Sequence, residues 1–280
     1  MPVFKYVSSK GFNEIFGKKP TLLYRRIDKL NDPYENLIGI EEYARKIFDL
    51  IKSGEYLESL NKSFDLVSAL SVGRYQTLTE DEICENLKKS FYVLSLSRSY
   101  QNLLMWAHYA DMHKGVVIEF DENSPVFIED KISFIDSLSC VSYSEDRKPI
   151  DFIMPQNYPE LVSSLGKTAI KLLKFKSEDW KYEDEKRQVL IDTRPMNKLF
   201  FGEEKFINDA PDLVYCNKLN AFLRKVDFEI VNNIYLGVNF DTEDMSNQLT
   251  IKRLQEKEIP IYKMSLQKDQ YSLRPEKYVE

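Results

Sequence analysis

The chain has 280 residues, 43% of them hydrophobic and 30% charged, with a net charge of −6 and a pI of about 5.3. This size allows a substantial hydrophobic core, and the negative charge argues against binding nucleic acid through bulk electrostatic attraction. Only 9 glycines occur, and the chain has no GxGxxG or GxxxxGK pattern, which argues against a Rossmann-type or P-loop phosphate site.

Cysteine and histidine are scarce and widely spaced. Cys84, Cys140 and Cys216 form no CxxC pair, which is typical of reduced cytosolic thiols. His108 and His113 do not share a helical face, so they are poor joint ligands and no metal site is predicted. The N-terminus lacks the apolar run of a signal peptide, and no segment reaches 18 apolar residues. We therefore expect a cytoplasmic protein with no membrane span.

The hydrophobic pattern predicts strands and helices in a mixed order along the chain. In sequence they are a strand at Val3–Val7, a helix at 10–17, a strand at Thr21–Arg26, helical segments at 34–70 and 79–89, a strand at Phe91–Ser97, a helix at 100–113, a strand at Val116–Phe120, one or two strands at 132–143, a helix at 157–176, strands at Gln188–Asp192 and Phe228–Phe240, a helix at Thr242–Lys257 and a strand at Ile259–Met264. Neither regular βα alternation nor all-β spacing is present. The prediction is an α+β fold, a central mixed or antiparallel sheet flanked by helices, in one domain with a helical insertion at about 36–90.

The segment Trp180–Arg187 carries the densest chemistry in the chain, because Glu183, Glu185 and Arg187 follow each other at steps of two. If the segment is extended, these three side chains share one face. If residues 177–190 are helical, Glu183 and Arg187 form an ordinary ion pair, worth roughly 0.2–0.5 kcal/mol. Both conformations remain open at this stage. The paired carboxylates make the segment the main candidate for a catalytic site.

The predicted helix at 100–113 has a second stripe besides its apolar one. Asn102, Trp106, Tyr109 and His113 recur at steps of four, three and four, so they line one side of the helix. Such a stripe is either buried against another element or lines a cleft, and burial of aromatics with satisfied polar tips is the commoner arrangement. His108 alone is more often a hydrogen-bonded core residue than a catalyst.

Two further polar groups have ordinary structural explanations. Asp32 and Glu35 flank a turn and fit helix capping or interaction with the helix dipole. Ser95 and Ser97 share one face at the end of a predicted strand, where polar positions of a half-buried strand are expected. The serines gain interest from their combination with Glu183 and Glu185.

Four stretches together resemble a bacterial family, domain of unknown function 2971 (DUF2971). They are Asn31–Glu35, Leu104–Asp111 with His113–Gly115, Trp180–Arg187, and Ile234–Gly237 with Ile261–Lys263. The stretches follow the family's order and are spread over most of the chain. This resemblance implies kinship and no particular activity.

A second resemblance is to ADP-ribosyltransferases, and it begins at Phe4–Ser9. Those enzymes use an Arg or His on the first strand, a Ser or Tyr on a middle strand and a late Glu, often in Glu-x-Glu. The matching positions here are Lys5, then Ser95 or Ser97, then Glu183 and Glu185. Lysine departs from the pattern because it lacks the fork geometry of arginine. Arg25 on the next strand is a candidate substitute.

This second resemblance implies an NAD-dependent ADP-ribosyltransferase-like enzyme in a bacterial stress, toxin or phage-defence setting. Glu185 would stabilise positive charge on the ribose, and Glu183 would orient or deprotonate the acceptor, whose identity stays open. The catalytic candidates are Glu185, Glu183, Ser95 and Ser97. The candidates for binding the dinucleotide NAD are Lys5, Tyr6, Arg25, Trp106, His108, Tyr109 and Tyr182.

Two alternatives remain. One is a non-enzymatic module that binds a ligand or a partner on the same fold. The other is a Mg²⁺-dependent nuclease or phosphodiesterase that uses Asp32, Glu35, Glu183 and Glu185 as ligands, although the low pI weighs against it. The sequence leaves the oligomeric state open.

Overall fold

A computed structural model describes residues 1–17, 19–32, 38–53, 77–131, 134–146, 166–201 and 211–279. The predicted α+β class is confirmed: a large mixed sheet is flanked by helices. The strands are β1 Pro2–Val7, β2 Thr21–Arg26, β3 Phe91–Ser97, β4 Val116–Asp121, β5 Ser139–Cys140, β6 Ser142–Ser144, β7 Phe175–Ser177, β8 Glu185–Ile191, β9 Leu213–Cys216, β10 Ala221–Lys225, β11 Val231–Leu236, β12 Ile261–Leu266 and β13 Leu273–Lys277. The helices with described bounds are α1 Ser9–Ile15, α2 Ile38–Lys52, α3 Glu80–Ser90, α4 Leu103–Tyr109, α5 Arg194–Phe201 and α6 Met245–Gln255.

Eleven of the described strands form one sheet in the order β13-β12-β11-β4-β1-β3-β2-β10-β9, with β8 on β3 and β5 on β8. β11 and β12 are parallel and are joined through α6, while the other pairs in this sheet are antiparallel. The remaining two strands, β6 and β7, pair with each other in parallel. The first strand of the chain therefore lies near the centre of the sheet, where its neighbours come from distant parts of the sequence.

Three apolar clusters hold helices against the sheet. One lies around Phe12, Phe16 and Ile251, where α1 and α6 pack on the sheet. A second joins α2 and α3 to the strands through Tyr43, Leu87 and neighbouring aliphatic residues. The third surrounds Trp106 of α4 and includes Phe4, Tyr6 and Tyr235. Phe4, Ser97 and Glu185 are cross-strand partners, so this part of the candidate site lies on the side of the sheet that α4 covers. None of the described helices has both the length and the apolar character needed to traverse a lipid bilayer.

Helix α4 ends four residues before the predicted boundary. Asp111, Met112 and His113 have φ values of 48°, 51° and 66°, so three consecutive residues are left-handed. Each costs roughly 1–2 kcal/mol relative to the right-handed form, and the surrounding contacts hold the turn in place. A side chain at Gly115 would collide with the Val7 carbonyl, and one at Gly237 with the His113 carbonyl. Both glycines are required by this close packing.

Other differences from the predicted elements have local causes. The predicted helix at 157–176 has its described part at 166–172, after which the chain turns and enters β7. The predicted strand at Gln188–Asp192 begins earlier, at Glu185, because its whole length pairs with β3. The strand predicted at Phe228–Phe240 covers only Val231–Leu236 and follows a short 3-10 turn. The single domain with a helical insertion stays a prediction, since residues 33–37 and 54–76 lie outside the described ranges.

Candidate active site

The sheet forks at β3. One edge of β3 pairs with β8 along its whole length. The opposite edge pairs with β2 through Tyr92 and Val93, and with β1 only where Phe4 meets Ser97. β1 and β2 therefore diverge from each other beside Ser95.

We call this place the fork and define it by Lys5, Arg25 and Ser95. The Lys5 ammonium reaches across it and donates to the Ser95 carbonyl at 2.7 Å. Lys5 and Ser95 are half-buried, and Arg25 is exposed. Three stretches that are far apart in the sequence thus meet at one position in the sheet.

The acidic segment is neither wholly extended nor α-helical. Residues Glu178–Glu183 form a 3-10 helix, Asp184 is left-handed with φ 46° and ψ 54°, and β8 begins at Glu185. The exposed Arg98 guanidinium pairs with the Asp184 carboxylate at 2.8 Å and so braces the turn. Both conformations considered from the sequence were therefore incomplete, and Arg187 pairs with Glu185 rather than with Glu183.

Four buried charged side chains form what we call the ion cluster: Lys176, Glu183, Glu185 and Arg187. The Lys176 ammonium lies 2.5 Å from Glu183 Oε2 and 3.3 Å from Glu185 Oε2, so it bridges both carboxylates. Arg187 donates through Nε to Glu185 Oε1 at 2.6 Å and through Nη2 to Oε2 at 3.0 Å. Arg187 also donates through Nη1 to the Leu173 carbonyl at 2.9 Å. All four side chains are buried, so each charge depends on the others for compensation.

The two glutamates of the ion cluster differ in acidity. Burial opposes the ionisation of Glu185, but the charges of Arg187 and Lys176, with hydrogen bonds from Arg187 and Ser95, outweigh it and lower its pKa to about 2. Burial raises the pKa of Glu183, which Lys176 and Tyr109 offset only in part. Glu185 is thus a fixed anion, while Glu183 is the carboxyl that gains a proton more readily. Opposed pKa shifts in a carboxyl pair are characteristic of acid–base sites.

The two predicted serines have different surroundings. Ser97 is buried, and its hydroxyl donates to the Glu183 carbonyl at 2.8 Å while accepting from the Ser99 amide. These two hydrogen bonds hold the backbone of the turn at Asp184 in place. Ser95 is half-buried at the fork, and its hydroxyl contributes to lowering the pKa of Glu185. Ser95 is therefore the member of the pair that a ligand in the fork could touch.

Two of the residues predicted to bind the cofactor are buried. The Trp106 side chain is fully enclosed, and its Nε1 donates to the Tyr100 carbonyl at 2.7 Å. Tyr6 packs edge-on against Trp106 at 5.6 Å, and its hydroxyl donates to the Ser99 carbonyl at 2.9 Å. As placed, neither ring offers a face to a ligand. Both instead fix α4 and the loop after β3.

Three other predicted residues lie near the surface above Glu183. The Tyr109 hydroxyl donates to Glu183 Oε1 and accepts from Asn31 Nδ2 at 2.6 Å. His108 is exposed, and its Nδ1 lies 3.2 Å from the Tyr182 hydroxyl. The Tyr182 ring is half-buried and tilts against Trp180 at 6.1 Å. A polar path therefore leads from the surface to the ion cluster.

Lys176 was not among the residues predicted for the site, although it contacts both glutamates of the ion cluster. Its ammonium also lies 4.8 Å from the centre of the Trp180 ring, an arrangement that favours the cation. A lysine seven residues before Glu183 gives no local signal of this pairing. Of the predicted metal ligands, Asp32 is buried and Glu35 lies outside the described residues. Within the described ranges, no group of three or more His, Cys, Asp or Glu side chains is arranged to hold a metal ion.

One comparison with known proteins bears on kinship. Residues 105–188 match the family model "Protein of unknown function (DUF2971)". The match covers less than half of the chain and runs from α4 to β8. It therefore supports the predicted DUF2971 resemblance over the segment that carries Tyr109, Lys176 and the ion cluster. No curated protein and no solved structure matches the chain.

Proposed function

We propose that the protein is a cytosolic ADP-ribosyltransferase-like enzyme of the bacterial defence or toxin type that binds NAD at the fork. The observation that carries the proposal is the contact of Lys5 with Ser95 beside Glu185. It brings together the strand, the serine and the glutamate that the resemblance requires, from positions 5, 95 and 185. The Ser95 side chain is half-buried and forms a hydrogen bond with the Glu185 carboxylate.

The charge balance around the fork favours an anionic ligand. Lys5, Arg25, Lys176 and Arg187 contribute four positive charges near the two negative charges of Glu183 and Glu185. The excess stands out in a chain whose net charge is −6. Like charges held close together and partly away from water destabilise the free protein. A pyrophosphate group would relieve this repulsion, and the exposed Arg25 is placed to contact it.

The chemistry of the transferase can be assigned to residues at this site. Breaking the bond between nicotinamide and ribose develops positive charge on the sugar. Glu185 is a preorganised anion that would stabilise this charge, with Ser95 as the contact to the ribose hydroxyl. Glu183 would accept the proton of the incoming nucleophile, since it is the member of the pair with the higher pKa. The half-buried Tyr182 ring is the accessible aromatic surface for nicotinamide.

The direct test is release of nicotinamide from NAD, measured by chromatography, together with thermal unfolding in the presence of NAD. The wild type is expected to release nicotinamide and to unfold at a higher temperature with NAD bound. Ser95→Ala should slow release by about tenfold or more, as expected for loss of a group that acts in the transition state. Ser265→Ala is the matched control, because Ser265 is a half-buried strand serine whose hydroxyl donates to Glu276 at 2.9 Å away from the fork. The proposal fails if millimolar NAD produces neither stabilisation nor nicotinamide.

A second candidate function, binding of a dinucleotide without turnover, is favoured by one observation. Both carboxylate oxygens of Glu185 already accept from Arg187, and one of them also faces Lys176. This occupancy leaves Glu185 limited capacity to accept a ribose hydroxyl. The binding module predicts stabilisation by NAD with no nicotinamide release. The Mg²⁺-dependent reaction has weaker support, because a metal ion would have to displace both cations from the glutamates.

A further inference from the structure

Lys5 has an unusual environment for an ammonium group. It is half-buried in the central strand of the sheet, and in the described part of the chain its hydrogen-bond acceptor is the neutral carbonyl of Ser95, at 2.7 Å. Removing an ammonium from water without a closely paired anion disfavours its charged form. Lys5 therefore loses its proton more readily than an exposed lysine does.

The charged neighbours of Lys5 act mostly in the same direction. Arg25 on β2 and Arg187 on β8 repel the ammonium, while Glu185 attracts it. Glu185 is already engaged by Arg187 and Lys176, so its attraction is shared among three cations. Burial together with these charges lowers the pKa of Lys5 to about 8. At neutral pH a larger fraction of Lys5 is therefore the neutral amine than is the case for an ordinary lysine.

We propose that Lys5 is a reactive amine that forms an imine with a phosphorylated aldehyde or ketone held in the fork. The Nζ lone pair adds to the carbonyl carbon, the resulting carbinolamine takes up a proton from solvent and loses its hydroxyl as water, and the product is a protonated imine. Desolvation and a nearby cation activate lysine in this way in other enzymes. Arg25, exposed at the mouth of the fork, would contact the phosphate of the same ligand. Arginine at position 5 could not react, because its guanidinium stays protonated.

This inference shares the fork with the proposed function but does not depend on NAD turnover. The probe is pyridoxal phosphate, which carries both an aldehyde and a phosphate. After incubation at several pH values, borohydride reduction converts each imine into a stable amine that peptide mass spectrometry locates. Labelling at Lys5 should rise as pH increases through about 8, since only the neutral amine adds to the aldehyde.

The internal control is Lys10 on α1, whose side chain is 85% exposed and which lies 4.0 Å from Glu14. At pH 7.5 we expect Lys5 to be labelled about tenfold faster than Lys10 or more, because burial beside Arg25 favours the neutral, reactive form of Lys5. Lys5→Arg should remove the label from that peptide. Circular dichroism of Lys5→Arg checks the fold, and the wild-type comparison with Lys10 stands even if that variant does not fold.

Arg25→Gln separates phosphate contact from simple amine reactivity. We expect it to reduce labelling by pyridoxal phosphate severalfold while changing labelling by unphosphorylated pyridoxal much less. Labelling spread evenly over exposed lysines, with Lys5 no faster than Lys10, would overturn the inference. Equal labelling by the two probes would overturn the phosphate contact.

Addition of NAD distinguishes this inference from the proposed function. Protection of Lys5 by NAD supports a dinucleotide in the fork. Rapid labelling of Lys5 that NAD does not slow leaves the reactive amine intact and removes NAD from this position.

Discussion

Two buried carboxylates on the same face of the sheet are stabilised in different ways. The cross-strand partners Glu185, Ser97, Phe4 and Glu119 form a row over β8, β3, β1 and β4. At one end, Glu185 is paired with Arg187 and Lys176. At the other end, Glu119 accepts from the neutral groups of Tyr235 at 2.7 Å and Asn233 at 2.9 Å.

The difference shows what the cations of the ion cluster add. Neutral donors are sufficient to satisfy a buried carboxylate, as they do at Glu119, where Tyr235 also stacks against Tyr100 at 4.4 Å and Tyr262 at 5.5 Å. Burying two cations near Glu185 costs desolvation energy that a structural role alone does not require. This energetic cost is consistent with a site that binds a charged ligand. The ion cluster adjoins the fork, since Ser95 forms a hydrogen bond with Glu185.

The largest expected effect is on stability. Glu185→Gln should lower the free energy of unfolding by about 3–5 kcal/mol, because it leaves buried cations without compensation. Glu119→Gln should cost about 1 kcal/mol, since the amide oxygen can still accept from Tyr235. Urea denaturation of the two variants measures the difference. Equal losses would mean that the cations make no special contribution at Glu185.

The next effect is a pH dependence specific to the ion cluster. The pKa of Glu185 is lowered from its ordinary 4.5 to about 2, so its stabilisation is present above pH 4.5 and is lost as pH falls through 2. The loss is on the order of 3 kcal/mol. The pKa of Glu183 is raised, so its contribution to stability depends on pH in the opposite direction: it is present below pH 4.5 and is lost as pH rises above that value. Together they predict a maximum contribution near the ordinary pKa of a glutamate.

The double variant Glu185→Leu/Arg187→Met sharpens this test. It removes the charged pair with side chains of similar size, a change that is often neutral or stabilising at pH 7. Its urea denaturation should show a shallower loss of stability below pH 4 than the wild type does. An identical acid transition in both proteins would contradict the assignment of that transition to Glu185.

Two tyrosine hydroxyls provide a smaller comparison. Tyr235→Phe should cost about 1.5–3 kcal/mol, because Tyr235 donates to the buried Glu119 at a site with neutral donors. Tyr109→Phe should cost about 1 kcal/mol, since Lys176 still compensates Glu183 and Tyr109 is half-buried. Thermal and urea unfolding of both variants give the order. A larger loss of stability in Tyr109→Phe than in Tyr235→Phe would contradict the expectation that Lys176 compensates Glu183 when the Tyr109 hydroxyl is removed.

The smallest effect concerns the left-handed turn that is present beside Glu185 and absent beside Glu119. Asp184→Gly should be about 1 kcal/mol more stable than Asp184→Ala, because both lose the Arg98 pair but only alanine is strained at φ 46°. Asp121, at the end of β4, is the matched position. There the order should reverse, since glycine is disfavoured in a strand. Thermal unfolding of the four variants measures the difference between glycine and alanine at each position.

The central strands of the sheet could be predicted from the sequence because their signals are local. Thr21–Arg26 and Phe91–Ser97 have the predicted bounds as β2 and β3. β9, β10 and β13 were not predicted, because they are short and partly polar and depend on pairing with strands elsewhere in the chain.

The candidate site was only partly predictable for the same reason. Glu183 and Glu185 attracted attention by their spacing, but their partner Lys176 belongs to a separate strand, β7, and its contact depends on tertiary packing. The end of α4 was missed because Asp111, Met112 and His113 adopt positive φ without any glycine to indicate it. For the stripe that carries Trp106, burial was weighed as the commoner arrangement and a cleft as the alternative, and Trp106 is fully buried against Tyr6 of β1.

Binding of a dinucleotide at the fork can be measured by calorimetric titration of NAD into the wild type and Lys5→Gln. We expect saturable binding to the wild type and an affinity about tenfold lower for the variant, because the variant loses one charge-assisted contact. Absence of binding, or equal affinity for the two proteins, would contradict this expectation.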